Sequence, residues 1–251
     1  MALLINNIAM SDPGDAPYVP NLLKGLFLNF NAALDAPGNG AQVGTIIMRG
    51  NAPLEADRSF GSLRGSGTHK PVSVGGSTPY LEFNGSATLA NANTSEGTTL
   101  VSGVFTVGIR VRIHDWATLS GNNGLFRGVV SRTAAMRGTG VSGVLSVSGG
   151  ASNPSYVDIT TDIAADQWAT ILTIWDDTNG DKILAGSAGI TPISIPSEGS
   201  IQGLGFGANI NTTGTGANFD MSHFAVWNRA LSDDEMFSVK NTWNAWGDIQ
   251  L

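Results

Sequence analysis

From Phe105 to Ile113 the chain alternates without a break. Phe105, Val107, Ile109, Val111 and Ile113 take one side, and Thr106, Gly108, Arg110, Arg112 and His114 take the other. A period of two predicts a strand with one face in a core. Shorter runs of the same kind predict strands at Leu22–Phe30, Gly44–Met48, Tyr80–Phe83, Leu125–Ser131, Gly143–Ser148, Tyr156–Thr160, Lys182–Ala185 and Leu204–Ala208. Trp168–Trp175 is almost wholly apolar, which predicts a central strand covered on both faces. In Phe219–Asn228, alternation would put Met221, His223, Ala225 and Trp227 on one face and Ser222, Phe224, Val226 and Asn228 on the other. Both sets carry large apolar groups, so both faces of this strand should be covered.

The pattern then changes period. Ser232 stands where an N-cap belongs and Glu235 follows three residues later, a capping box. Leu231 and Met236 have the spacing of a hydrophobic staple, and Asp233 and Asp234 put negative charge in the first turn. Met236, Val239, Trp243 and Trp246 form a stripe expected to face the sheet. Asn84-Gly85 and Asp176–Asp181 read as tight turns. Many short strands, turn signals between them and one closing helix predict an all-β protein. The expected form is an antiparallel jelly-roll β-sandwich with a short C-terminal helix.

Two segments stand outside this pattern. Residues 1–20 open with Leu3, Leu4, Ile5 and Ile8 and continue into a run with Pro13, Pro17 and Pro20. Prolines this dense disfavour helix. The segment reads either as an N-terminal arm, with those four apolar residues docking on a partner, or as a first strand and turn of the sandwich. As an arm it leaves residues 21–251 as the sandwich domain. Residues 50–79 form a long irregular stretch with about one short strand, a candidate contact surface.

Composition narrows the functions. Only 13% of the 251 residues are charged, and there are 33 glycines, so Gly, Ser, Thr and Asn must build much of the surface. A net charge of −7 argues against nucleic acid and against an anionic membrane surface. No cysteine is present, which removes disulfides and thiolate metal sites. No apolar run reaches the ~18 residues of a membrane span. The N-terminal sequence has no basic region ahead of its short apolar run, so it is not expected to act as a secretion signal.

Four runs carry a family resemblance. They are Tyr80-Leu81-Glu82-Phe83-Asn84-Gly85-Ser86, Phe105-Thr106-Val107 through Arg112, Gln167-Trp168 leading to Ile174-Trp175-Asp176, and Asn228-Arg229-Ala230-Leu231-Ser232-Asp233-Asp234-Glu235. In order and spacing they resemble the laminin-G-like, or concanavalin A-like lectin, jelly roll across about residues 22–240. The last run is the most specific. Lys182-Ile183-Leu184-Ala185-Gly186 departs from the aromatic strand ending in Asp-Gly that the family often has there. The resemblance implies a binding domain for sugars or proteins, sometimes with calcium, and the family is frequent in secreted and phage virion proteins.

Candidate chemistry is sparse. Asp176-Asp177-Thr178-Asn179-Gly180-Asp181 has part of a calcium loop, but Trp175 holds the first ligand position and Leu184 and Gly186 lie where the closing acid belongs. A hairpin turn with Gly180 at positive φ is the simpler expectation, and no cofactor is expected. His69, His114 and His223 lack metal spacing. Trp116, beside Asp115 in a turn, is the candidate for stacking on a sugar, or else a plug at the sandwich rim. No strand carries the paired carboxylates that glycoside hydrolysis needs, so the protein is expected not to be an enzyme. The leading expectation is a virion structural protein, a phage decoration, head-fibre or tail-associated component. It would contact capsid or tail proteins, as a homo-oligomer or within a larger assembly. The alternatives are a carbohydrate-binding module or adhesin, secreted or at the cell surface, and a polysaccharide-cleaving enzyme.

Overall fold

The computed structural model describes residues 21–52, 58–61, 70–85, 87–91, 99–119, 123–128, 134–149, 156–195, 199–201, 203–207 and 216–249. The first strands are β1 (Leu26–Asn31), β2 (Thr45–Ile47), β3 (Ser59–Gly61), β4 (Val72–Val74), β5 (Tyr80–Asn84), β6 (Thr88–Asn91) and β7 (Val101–Ser102). Then come β8 (Phe105–Asp115), β9 (Gly124–Gly128), β10 (Ala135–Gly138), β11 (Val144–Ser148), β12 (Tyr156–Thr160) and β13 (Trp168–Trp175). The last are β14 (Asp181–Ala185), β15 (Thr191–Ile193), β16 (Ser200–Ile201), β17 (Leu204–Gly207) and β18 (Asn218–Trp227). Helix α1 spans Ala32–Asp35 and α2 spans Asp233–Asn244, and a 3-10 turn covers Trp116–Leu119.

Sixteen of the strands build two eight-stranded antiparallel sheets, and β7 and β16 pair separately with each other. The first runs β15-β14-β13-β8-β18-β5-β4, and β1 pairs with the second half of β18, beyond β5. The second runs β12-β11-β10-β9-β17-β6-β3-β2. Their facing sides share one core that holds Phe30, Phe83, Phe105, Phe126, Phe206, Phe219 and Phe224, together with the apolar set of β8. Phe83 stacks on Phe219 at 4.7 Å and Phe105 on Trp175 at 4.9 Å. The architecture is an antiparallel β-sandwich closed by a C-terminal helix, as the alternation of apolar residues predicts.

A second core lies on the outer face of the first sheet. Helix α2 buries Met236, Val239 and Trp243 there against Leu26, Leu172, Leu184 and Trp227. This helix explains why both faces of β18 are apolar. Its start is built as the sequence predicts. The Ser232 hydroxyl accepts from Glu235 N–H (3.3 Å), and the Glu235 carboxylate accepts from Ser232 N–H (2.8 Å). Arg229 then clasps Glu235 through two bonds of 2.7 and 2.8 Å. Burial alone would raise the Glu235 carboxyl, but Arg229 and the Ser232 bonds outweigh it and hold the carboxyl below its ordinary range. Gly108 lets the helix approach, because a Cβ there would stand 2.8 Å from Trp243 Cη2.

Three expectations need correction. In β18, Met221 points into the sandwich with Phe219, while His223 pairs with Arg110 on the outer face. A bulge at Ser222 resets the parity, since one extra residue flips every later side chain. In β1, alternation would put Leu26, Leu28 and Phe30 on one face, but a second irregularity between Leu26 and Leu28 sends Leu26 to the helix side and Leu28 and Phe30 inward. The third concerns Trp246, which is not on the helix face. The helix ends at Asn244, and Trp246 follows in the left-handed region at φ 59°. Its N–H bonds Trp243 O (2.8 Å) and Gly247 N–H bonds Thr242 O (2.8 Å), a Schellman ending with tryptophan where glycine is usual.

Of the long stretch 50–79, the described residues contain β3 and β4. Residues 1–20, with Leu3, Leu4, Ile5 and Ile8, lie outside the described residues. No helix among the described residues is long and apolar enough to cross a membrane.

Candidate functional site

Helix α2 covers only part of the outer face. Beyond its C-terminal end, β8 presents Arg110, Arg112 and His114, and the neighbouring strands answer with aromatic rings and acids. Arg112 bonds Asp220 of β18 (Nε to Oδ2, 2.8 Å) and lies over Tyr80 of β5 (5.1 Å) and Trp168 of β13 (5.2 Å). His114 spans two carboxylates, Asp166 at 2.6 Å from Nδ1 and Asp220 at 2.9 Å from Nε2. Donation to both requires the imidazolium form. Burial opposes that charge, but the two acids outweigh burial and raise the His114 pKa.

Arg110 is 4% exposed and bonds Ser222 Oγ at 3.3 Å. Its Nε has no hydrogen-bond partner among the described residues. Among the described residues no carboxylate pairs with it; the guanidinium lies over Trp246 (3.9 Å) and Trp168 (4.9 Å) instead. Burial lowers its pKa to about 10, so it remains charged at neutral pH. Cation–π attraction strengthens when the cation is desolvated, and two rings here take the place of an anion. The left-handed turn that ends α2 is what carries the Trp246 ring to this position. His223 stacks on Trp243 (5.4 Å) and is held neutral, its pKa pushed down to about 4 by burial and by the Arg110 charge.

Trp168 links this layer to an open groove of about 430 Å³. Arg110 and Arg112 of β8 flank the ring on one side, and the groove continues on the β14 side. Lys240 and Asn244, one turn apart on α2, form one wall. Asp162, Gln167, Thr170 and Ser187 supply polar groups on the floor and far wall. The Asp162 carboxylate accepts from the N–H and hydroxyl of Ser187. Those bonds, with a smaller effect of the Lys240 charge, lower its pKa. Thr170 Oγ1 donates to Asn244 Oδ1 at 3.0 Å. An aromatic ring with amide, hydroxyl and charged groups in a shallow groove can stack on the apolar face of a sugar and bond its hydroxyls.

Trp116 is 4% exposed, in the 3-10 turn, where a Cβ at Gly138 would stand 3.4 Å from its ring. Asp115 is exposed, and its carboxylate caps that turn by accepting from Ala117 N–H (2.9 Å). The Asp176–Asp181 loop is the expected hairpin, with Gly180 at φ 92°. The Asp176 carboxylate accepts from Thr178 and Asn179 N–H, and that of Asp181 from Asp176 and Ile195 N–H. Both acids are therefore committed to the backbone. No cluster of three metal-binding side chains occurs among the described residues. His69 lies outside them.

Alternation in the sequence already sets Arg110, Arg112 and His114 on one face of β8, but nothing in it ties them to Trp168, Trp246 or the groove. Trp168 reads in the sequence as the start of a doubly covered strand, whereas its ring is partly exposed. Two arginines on the polar face of a low-charge sheet were the available signal. What they face depends on strand pairing.

No protein-family model and no curated protein sequence matches the chain. Solved structures do resemble it. The binding domain of botulinum neurotoxin DC in complex with SialylT matches with a TM-score of 0.60 at 10% identity, over 87% of this chain and 51% of that one. The binding domain of Paraclostridial Mosquitocidal Protein 1 matches with 0.56 at 14% identity, over 87% and 52%. Trypanosoma rangeli sialidase in complex with sialic acid matches with 0.53 at 12% identity, over 89% and 34%. The chain thus spans about half of the length of the two binding domains and a third of the sialidase. The likeness is one of fold, an antiparallel jelly-roll β-sandwich.

Proposed function

We propose that this chain is a non-enzymatic glycan-binding module of laminin-G-like kind, and that it takes its ligand in the groove beside Trp168. The observation that supports this is the pairing of a partly exposed tryptophan, braced by Arg110 and Arg112, with hydrogen-bonding side chains on both walls of the groove. A braced ring is preorganised, so binding costs little side-chain entropy. Binding without cleavage fits the carboxylates present. Asp162 is the acid lining the groove and is engaged by Ser187, while hydrolysis of a glycoside takes two carboxyl groups across the bond.

The similar solved structures are binding domains of a botulinum neurotoxin and of a mosquitocidal protein, and a sialidase; the neurotoxin domain is in complex with SialylT and the sialidase with sialic acid. Their fold favours a lectin-like role over the virion role expected from the family resemblance, the N-terminal sequence and the composition. Attachment of the module to a capsid or tail would fall to residues 1–20, and particle incorporation of a chain lacking residues 2–19 tests it.

The test of glycan binding is an oligosaccharide panel read by intrinsic tryptophan fluorescence and calorimetry. At least one glycan class should bind, and Trp168→Ala should weaken it by about tenfold or more, the loss of roughly 1.5–3 kcal/mol of aromatic contact. No binding up to about 10 mM, a free energy weaker than roughly 3 kcal/mol, would refute the function.

A further inference from the structure

On the glycan-binding reading of this same groove, we infer that its ligand is an acidic sugar, one whose carboxylate or sulfate ester is held by Lys240. The inference comes from which polar groups of the groove remain uncommitted. The Ser187 hydroxyl is spent on the Asp162 carboxylate, and the Ser187 N–H bonds it as well. Thr170 spends its proton on Asn244 Oδ1, so the free end of that amide is the N–H2 donor. The Lys240 ammonium makes no hydrogen bond and no ion pair among the described residues, and its effect on Asp162 is through space only. Of the groove's two charges, the Asp162 carboxylate stays ionised but has accepted bonds from Ser187, while the Lys240 ammonium has no hydrogen-bond or ion-pair partner among the described residues.

What remains is a donor-rich surface: three protons on Lys240 Nζ and two on Asn244 Nδ2, carried side by side on one face of α2. The Gln167 amide, exposed and without a partner among the described residues, adds a donor and an acceptor at the far end. Ordinary sugar hydroxyls need acceptors as much as donors. A donor-rich wall is matched instead by an acceptor-only group, which in a glycan is a carboxylate or a sulfate. Bonds from ammonium to such an oxyanion are about twice as strong as neutral ones. Behind Trp168 lie the charges of Arg110 and Arg112, and the latter is offset by Asp220 while the former has no anion beside it among the described residues. Their field adds to that of Lys240 at short range.

Size-matched trisaccharides test this: a neutral one, a uronate-bearing one, a sialylated one and a sulfated one, each titrated calorimetrically into the full chain. The expected result is about tenfold or greater preference for an acidic arm over the neutral one. That preference should be lost in Lys240→Gln and kept in Lys240→Arg. The arm that binds most tightly names the anion. Equal binding of neutral and acidic arms, with Trp168→Ala weakening both, overturns the acid preference and leaves glycan binding standing. A preference that persists unchanged in Lys240→Gln overturns the role of Lys240. No binding of any arm sinks both the preference and the function on which it rests.

Discussion

Trp246 offers the sharpest test of how the outer face is held together. It sits at φ 59°, where a non-glycine residue pays for its Cβ. Trp246→Gly would relieve that strain by about 1 kcal/mol. The same change removes the ring over Arg110 at 3.9 Å and its edge-on contact with Trp168 at 5.2 Å. The cation–π contact with a desolvated guanidinium is worth about 1–2 kcal/mol. The aromatic pair adds about 0.5–1.5 kcal/mol, and half-burial of the indole about 1–1.5 kcal/mol. The losses exceed the gain by roughly 1.5–4 kcal/mol, a fall in Tm of about 3–16 °C for a domain of this size. Trp246→Ala keeps the strain and loses the same contacts, so it should melt a few degrees below Trp246→Gly, the counterpart of about 1 kcal/mol. Circular dichroism melts of the three proteins decide it. If Trp246→Gly is as stable as the parent, the ring stack is worth no more than the strain, and the bracing of Trp168 fails as an explanation. If the two variants melt together, the left-handed turn is not present in solution.

Other outcomes follow from the second core and from the buried histidine. Gly108→Ala drives a Cβ to within 2.8 Å of Trp243, and the overpacking should cost about 1–3 kcal/mol, seen as a lower urea midpoint at constant slope. Glu235→Ala removes the carboxylate half of the capping box and the acid partner of Arg229, whose guanidinium keeps its bonds to the Asn21, Lys24 and Ala230 carbonyls, for a loss of about 1–2 kcal/mol. Glu235→Gln keeps a neutral acceptor and should lose roughly half as much; equal losses would mean that the carboxylate charge is irrelevant. His223 has a folded pKa of about 4, below the ordinary histidine value, so the unfolded chain binds the extra proton. Its contribution is complete above about pH 6.5 and is lost as pH falls toward 4, by roughly 2 kcal/mol between pH 7 and pH 5. His223→Phe should flatten that slope in chemical denaturation, and an unchanged slope would place the acid sensitivity elsewhere.

The alternation of β8, the apolar run of β13 and the capping box of α2 were readable because each is a local pattern with a local cause. Side-chain period fixes a strand's faces, and an N-cap satisfies backbone donors within one turn. The short strands β4, β6, β7, β10, β15 and β16 escaped because two to four residues carry no period. The faces of β18 and β1 were misassigned for the related reason that a bulge leaves no mark in the alternation it interrupts.

The sequence by itself therefore determined the sandwich, its main core and the point at which the closing helix begins. Those features depend on contacts between residues close in sequence or on periodicity alone. Only the tertiary structure decided that Arg110 and Arg112 lie over Trp168, that Trp246 turns back from the helix end to cover Arg110, and that Lys240 and Asn244 face Asp162 and Ser187 across a groove. Those neighbours are brought together by antiparallel pairing and by the packing of α2 on the sheet, over separations of 50 residues and more. No short-range pattern encodes such distances, so the fold was legible in the sequence before the candidate site was.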